Sequence, residues 1–222
     1  MRLRILLFIL AALMASAWAR ACPVDPARAE PHQLVQEVTD CLLADIERYR
    51  GKLEEAGSET RKRQLMEGFL SELRATLEPV VDFDWIALNV MGSYRRDASA
   101  GQRERFQEVF TESLVETYGR GLLSYSDQTI KVFPPEGDIG DRRRVTVTQE
   151  IRGPEKNYPL VYSMGKNRRG QWKVINVIIN GINLGKTFRS QFVQAAEKND
   201  GNLDAVIANW TTKTEIEETG KA

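Results

Sequence analysis

The sequence predicts an α+β fold: a helical N-terminal half packed on a curved antiparallel sheet of about four strands, closed by C-terminal helices. Three observations predict it. Apolar residues recur at helical spacing from Pro31 to Leu122. From Thr129 to Asn180 the period shortens to two, with turn residues between the runs. Helical spacing returns from Leu184 to Trp210.

Pro31 suits a first helical turn, and Leu34, Val35, Val38, Cys41, Leu42 and Ile46 form one stripe of a helix reaching Tyr49. Gly57-Ser58 breaks the chain. Ser58 caps a second helix that runs to about Glu78, before Pro79, with Leu65, Met66, Phe69, Leu70, Leu73 and Leu77 on one side. Asp82 or Asp84 caps a short helix closed by Gly92, and Ser99 opens a long one carrying Phe106, Val109, Phe110, Leu114, Val115, Tyr118 and Leu122. Thr129 to Phe133 is a short strand ended by Pro134-Pro135. Arg144 to Arg152 alternates, with Val145, Val147 and Ile151 pointing one way and Arg144, Thr146, Thr148 and Glu150 the other. Gly153-Pro154 and Asn167 to Gly170 are turns flanking strands at Tyr158 to Gly165 and Trp172 to Asn180, an antiparallel meander with one face buried. Gly181 to Gly185 reads as a strand-to-helix turn. Leu184, Phe188, Phe192 and Ala195, then Leu203, Val206, Ile207 and Trp210, make the closing helices. From Thr211 onward only Ile216 is apolar at a helical interval, which reads as a frayed tail.

The first residues stand apart from this fold. Arg2 and Arg4 precede an apolar run from Ile5 to Ala15, followed by small residues, the three-part pattern of a secretory signal peptide. A bilayer-spanning helix needs roughly 20 apolar residues, and this run is much shorter. Cleavage frames lie before Arg20 and before Cys22. The second would place a cysteine at the mature N-terminus, but Arg20 stands where a lipoprotein signal has a small residue. The expected organisation is therefore a signal peptide at 1–21, a single domain at 22–212 and a flexible tail at 213–222. In an oxidising compartment Cys22 and Cys41 either pair, tying the leader end to the first helix, or remain one buried and one loose thiol.

The 222 residues carry 31 Lys+Arg, 31 Asp+Glu, one His and two Cys. Cleavage before Cys22 removes Arg2, Arg4 and Arg20, leaving 28 basic against 31 acidic residues. A slightly acidic protein is no general nucleic-acid binder. One His and two Cys do not supply a zinc cage or a cysteine-protease dyad, and no metal or cofactor is expected. His32, near the mature start, is poorly placed as a general base. Basic pairs and triplets at Arg95-Arg96, Arg142-Arg143-Arg144, Lys166 with Arg168-Arg169, and Lys186 with Arg189 are either solvated turns or a rim for docking or for phosphate, whose geometry arginine matches.

Four blocks in order carry a family resemblance. The first is Phe83-Asp84-Trp85-Ile86-Ala87 through Val90-Met91-Gly92-Ser93-Tyr94-Arg95-Arg96. The second is Ala98-Ser99-Ala100-Gly101-Gln102-Arg103 with Phe106, Phe110, Leu114, Thr117-Tyr118 and Leu122. The third is Trp172 to Val177 with Gly181-Ile182-Asn183-Leu184, and the fourth is Phe188-Arg189-Ser190-Gln191-Phe192. Together they resemble the MlaC family of periplasmic phospholipid-binding proteins, auxiliary components of an ABC transport system linked to toluene tolerance. Met91, Asn176 and Asn183 depart from the family's usual residues, and the two cysteines lie outside its pattern, which leaves open a hopanoid-associated subgroup.

The resemblance implies a nuclear-transport-factor-like cone with an added helical layer, holding acyl chains between sheet and helices. It implies a soluble, monomeric periplasmic carrier moving phospholipid between an outer-membrane lipoprotein complex and an inner-membrane ABC transporter with its substrate-binding ring. Two acyl chains hold about 30 methylenes, whose exposure to water would cost on the order of 24 kcal/mol, so only a deep apolar cavity suffices. Expected lining residues are Phe110, Leu114, Tyr118 and Leu122 from the long helix. The strands are expected to add Val145, Val147, Ile151, Val161, Val174, Val177 and Ile179, and Trp85, Val90, Leu184 and Phe188 the ends. The basic rim would be Arg95, Arg96, Arg142, Arg143 and Arg189. A different class, an isomerase or dehydratase on the same cone, would need Tyr118 or Tyr162 paired with an inward carboxylate.

Overall fold

The structure, a computed structural model, describes residues 24–27, 30–124, 128–154 and 156–212. The expected signal peptide, Cys22 and the 213–222 tail lie outside the described residues. Cys41 is disulfide-bonded.

Each helix begins where its capping chemistry allows. α1 (Pro31–Glu54) starts on a proline and runs five residues beyond Tyr49; the lone Gly51 weakens a helix without ending it, and the break comes at Gly57. α2 (Glu59–Leu77) is capped by Ser58, whose hydroxyl accepts from the Arg61 amide at 3.2 Å. α3 (Phe83–Val90) takes Asp82, not Asp84, as its cap: the Asp82 carboxylate accepts from the Trp85 amide. A 3-10 turn at Gly92–Arg96 leads to α4 (Ala100–Leu122). There Ser99 accepts from the Gln102 amide at 3.1 Å and Gln102 accepts from the Ser99 amide at 2.9 Å, satisfying two donors at once. Ser99→Ala is expected to cost about 1 kcal/mol, read as a lower urea midpoint with an unchanged slope.

The sheet is an antiparallel meander of five strands in chain order: β1 (Thr129–Val132), β2 (Arg144–Arg152), β3 (Asn157–Lys166), β4 (Trp172–Ile179) and β5 (Ile182–Asn183). The fifth strand corrects the expected count. Asn180 and Gly181 both adopt positive φ, 49° and 82°, the conformation of a two-residue hairpin loop, so the segment read as a plain turn pairs back onto Ile178 and Ile179. A bulge in β4 shifts the register between Ser163 and Met164, so Asn176 opposes Ser163 while Val174 opposes Met164. Ile175 is the extra residue, and Val174, Val177 and Ile179 therefore share one face despite their uneven spacing.

α1 lies on the inward face of the sheet, where Leu34 and Val35 join Val147, Met164, Trp172 and Val174 in one buried cluster. α1, α2 and α4 share a second, around Phe69 and Leu73, and Arg74 of α2 forks onto both carboxylate oxygens of Glu108 of α4 at 2.8 and 3.0 Å. α3, α4, α5 (Leu184–Lys198) and α6 (Leu203–Ala208) enclose a third, aromatic one. The chain past α6 departs from the expected tail at Thr212. That residue is buried, its amide donating to the Ser113 hydroxyl at 2.8 Å and its own hydroxyl to the Ser113 carbonyl.

Candidate functional site

Between α1, α4 and the inward face of the sheet lies a cavity of about 320 Å³. The long helix contributes Phe110, Leu114, Tyr118 and Leu122, and the sheet contributes Leu160, Tyr162, Met164, Val174, Val177 and Ile179. Leu184 and Phe188 come from the start of α5. The floor of α1 presents Leu34, Val35, Val38, Thr39 and Leu42. No Asp, Glu, Lys, Arg or His is among the described lining residues. Such a volume falls at the lower end of the roughly 300–1,000 Å³ typical of ligand cavities, so two full acyl chains require its walls to part.

Nine of the fifteen expected lining residues meet in this cavity: Phe110, Leu114, Tyr118, Leu122, Val174, Val177, Ile179, Leu184 and Phe188. The other six stand elsewhere, for identifiable reasons. Val161 pairs with Thr148 and Ile178, on the face opposite to Tyr162, because alternation turns its neighbours Leu160 and Tyr162 inward instead. Ile151 points inward but pairs with Ile130 and Tyr158, one row past the cavity. Val147 is fully buried in the core beneath α1. Val90 is buried among the aromatic residues, and Val145 and Trp85 line a separate groove, where Trp85 is 39% exposed.

The helical floor and Leu160 were not anticipated. The α1 stripe is plain in the sequence, but a stripe does not distinguish packed core from cavity wall. Of the expected basic rim, Arg95, Arg96, Arg142 and Arg143 are exposed and away from the cavity. Arg189 lies in the groove with Trp85.

One polar chain crosses the apolar wall. The Tyr162 hydroxyl donates to Gln149 Oε1 at 2.5 Å, Gln149 Nε2 donates to the Thr39 hydroxyl at 3.0 Å, and Thr39 donates to the Val35 carbonyl at 2.7 Å. Gln149 is 3% exposed, and it occupies the inward position of β2 between Val147 and Ile151. Thus α1, β2 and β3 are tied by groups satisfied among themselves, which makes their burial affordable. The partner of Tyr162 is an amide, not the carboxylate that an acid–base pair would require.

Burial raises the Tyr162 pKa above the ordinary tyrosine value, because the apolar wall disfavours a phenolate. The folded state therefore holds this proton more tightly than the unfolded chain. Its contribution to stability is complete below about pH 10 and is lost as pH rises through the folded value. Tyr162→Phe leaves Gln149 Oε1 without its donor and is expected to cost about 1–3 kcal/mol at neutral pH. It should also flatten the alkaline fall in stability above about pH 10, measured by denaturation at each pH.

Among the described residues no cluster of His, Cys, Asp or Glu could hold a metal ion, and no helix is long and apolar enough to cross a membrane.

Comparison with known proteins places this arrangement. The family model described as MlaC protein matches residues 52–212. The chain is 40% identical over 182 residues to the toluene tolerance protein ttg2D of Pseudomonas putida, covering 81% of this chain and 79% of the relative. It is 28% identical over 183 residues to the intermembrane phospholipid transport system binding protein MlaC of Haemophilus influenzae, covering 81% and 78%. Its fold is similar to that of a phospholipid-binding protein from Ralstonia solanacearum solved in complex with a phospholipid. The TM-score is 0.68, at 23% identity, over 81% of this chain and 94% of that one. The extent of the family match and the level of identity show that this chain belongs to the MlaC family.

Proposed function

We propose that the protein is an exported phospholipid carrier, which buries acyl chains in the cavity between α1, α4 and the sheet and moves lipid between the two membranes of the envelope. The observation that carries this reading is the uncharged lining, which combines walls from five helices and two strands. Each buried methylene gains about 0.8 kcal/mol, and no side chain in the lining demands a charged partner. The relatives named for phospholipid binding and transport support the same ligand class. An outer-membrane lipoprotein complex and an inner-membrane ABC transporter with its substrate-binding ring are the proposed partners between which lipid moves, met by a monomer in the periplasm.

An isomerase or dehydratase is not favoured, because the cavity offers Tyr162 an amide where such chemistry needs an acid. Transfer of labelled phosphatidylethanolamine from donor to acceptor vesicles is the test. The carrier reading predicts transfer proportional to protein concentration and well above spontaneous exchange. Transfer no faster than exchange without protein would overturn it.

A further inference from the structure

The cavity borders two solvent-filled grooves of opposite charge. One, about 530 Å³, lies between α2, α3 and α4, shares Val81 and Phe83 with the cavity, and is lined by Glu78, Asp82, Asp84, Glu104 and Glu108 against Arg74 and Lys173. The other, about 460 Å³, lies between α3, α5 and the sheet, and its only charged residues among those described are Arg144, Lys186 and Arg189. Arg144 and Lys186 are exposed and take part in no ion pair among the described residues. Arg189 commits only its Nε, donating to the Asn89 carbonyl at 2.8 Å. Trp85 and the hydroxyls of Thr146 and Ser163 complete this basic groove.

The partition between the basic groove and the cavity is one residue thick: Ile86, Met164, Asn176 and Gly185 line both. It stands at a gap in the edge of β4. Val174 is tied there to the chain at Val80 and Asp82, through hydrogen bonds of 2.8 and 2.9 Å, and β5 covers Ile178 and Ile179. Between those ties no strand flanks β4 among the described residues. Gly185 stands there instead, its amide donating to Asn176 Oδ1 at 3.1 Å. A Cβ at Gly185 would lie 2.6 Å from that oxygen, so any larger residue would wedge this contact.

An apolar cavity separated by one thin wall from a groove of uncommitted cations matches an amphiphile with a hydrocarbon end and an anionic end. Resting on the carrier reading, we propose that the basic groove receives the phosphodiester of the bound phospholipid, with its chains passing over Ile86 and Asn176 into the cavity. Like charge excludes the acidic groove from that role, whereas arginine and lysine suit a phosphate.

Arg144→Gln combined with Lys186→Gln tests this without touching a folding contact, and Arg142→Gln with Arg143→Gln is the control for net charge. Binding of phosphatidylglycerol from vesicles is compared with binding of diacylglycerol bearing the same chains, and inorganic phosphate alone is measured by equilibrium dialysis. The proposal expects the Arg144/Lys186 pair to weaken phosphatidylglycerol binding on the order of tenfold, to leave diacylglycerol binding unchanged, and the control pair to change neither. It expects inorganic phosphate alone not to bind at millimolar concentration. Equal loss of both lipids, no loss of either, an equal effect of the control pair, or tight binding of phosphate without a lipid would each overturn it. A wild-type protein that binds neither lipid would instead overturn the carrier reading.

Discussion

Val177→Glu is expected to abolish lipid loading while leaving the helices and sheet in place. Val177 sits in the middle of the inward wall, opposite Tyr162 in the register and between Val174 and Ile179 on one face. A carboxylate there meets no basic side chain among the described lining residues. Holding it ionised against hydrocarbon costs several kcal/mol, more than the gain from several methylenes. Lipid recovered with the purified protein should fall at least tenfold at pH 8, on the scale of about 1.4 kcal/mol per decade. Val177→Met, which keeps the wall apolar, should retain it. The two variants separate loss of the cavity's chemistry from loss of the fold, provided their circular dichroism spectra match the wild type.

The largest effect on stability is expected from the aromatic cluster that closes the other side of α4. Phe192 is fully buried, with its ring centroid 4.8 Å from Phe106 edge to face and 5.7 Å from Trp210. Trp210 in turn meets Phe106 at 5.2 Å. Phe192→Ala removes the shared member and leaves a void that three helices cannot easily refill. The expected cost is about 3–5 kcal/mol, corresponding to a fall in Tm of roughly 10 °C for a chain of this size. Because Phe192 does not line the cavity, lipid content per folded molecule should stay near that of the wild type.

These two residues also show what the sequence made legible. Phe192 and its partners recur at three- and four-residue intervals, so both the helix and its buried side could be read directly. Val177 was identified as a wall residue even though strict alternation from Val174 would have turned it outward. The bulge at Ile175 that reconciles the two is a tertiary feature with no short-range signature. Val161 failed for the converse reason: with no bulge in β3, alternation alone decides its face, and its composition is no guide. Gln149 is not legible as a buried residue, because a buried amide depends on finding Thr39 and Tyr162, 110 and 13 positions away. The floor of α1 was legible as an apolar stripe but not as a cavity lining, since that distinction depends on how far α1 stands off the sheet.

The basic residues followed a similar course. Arg142-Arg143-Arg144 and Lys186 with Arg189 are legible as two separate basic runs, and the groove beside the cavity brings Arg144 of one together with Lys186 and Arg189 of the other. The chain separation hides that convergence until β2 and α5 are placed together.

Native mass spectrometry of protein purified from its own host, followed by lipid extraction, tests whether the cavity holds the hydrocarbon of a phospholipid. One bound phospholipid is expected in the wild type, and a protein free of lipid for Val177→Glu. A wild-type protein carrying no phospholipid, or equal loading of the glutamate variant, would contradict that expectation.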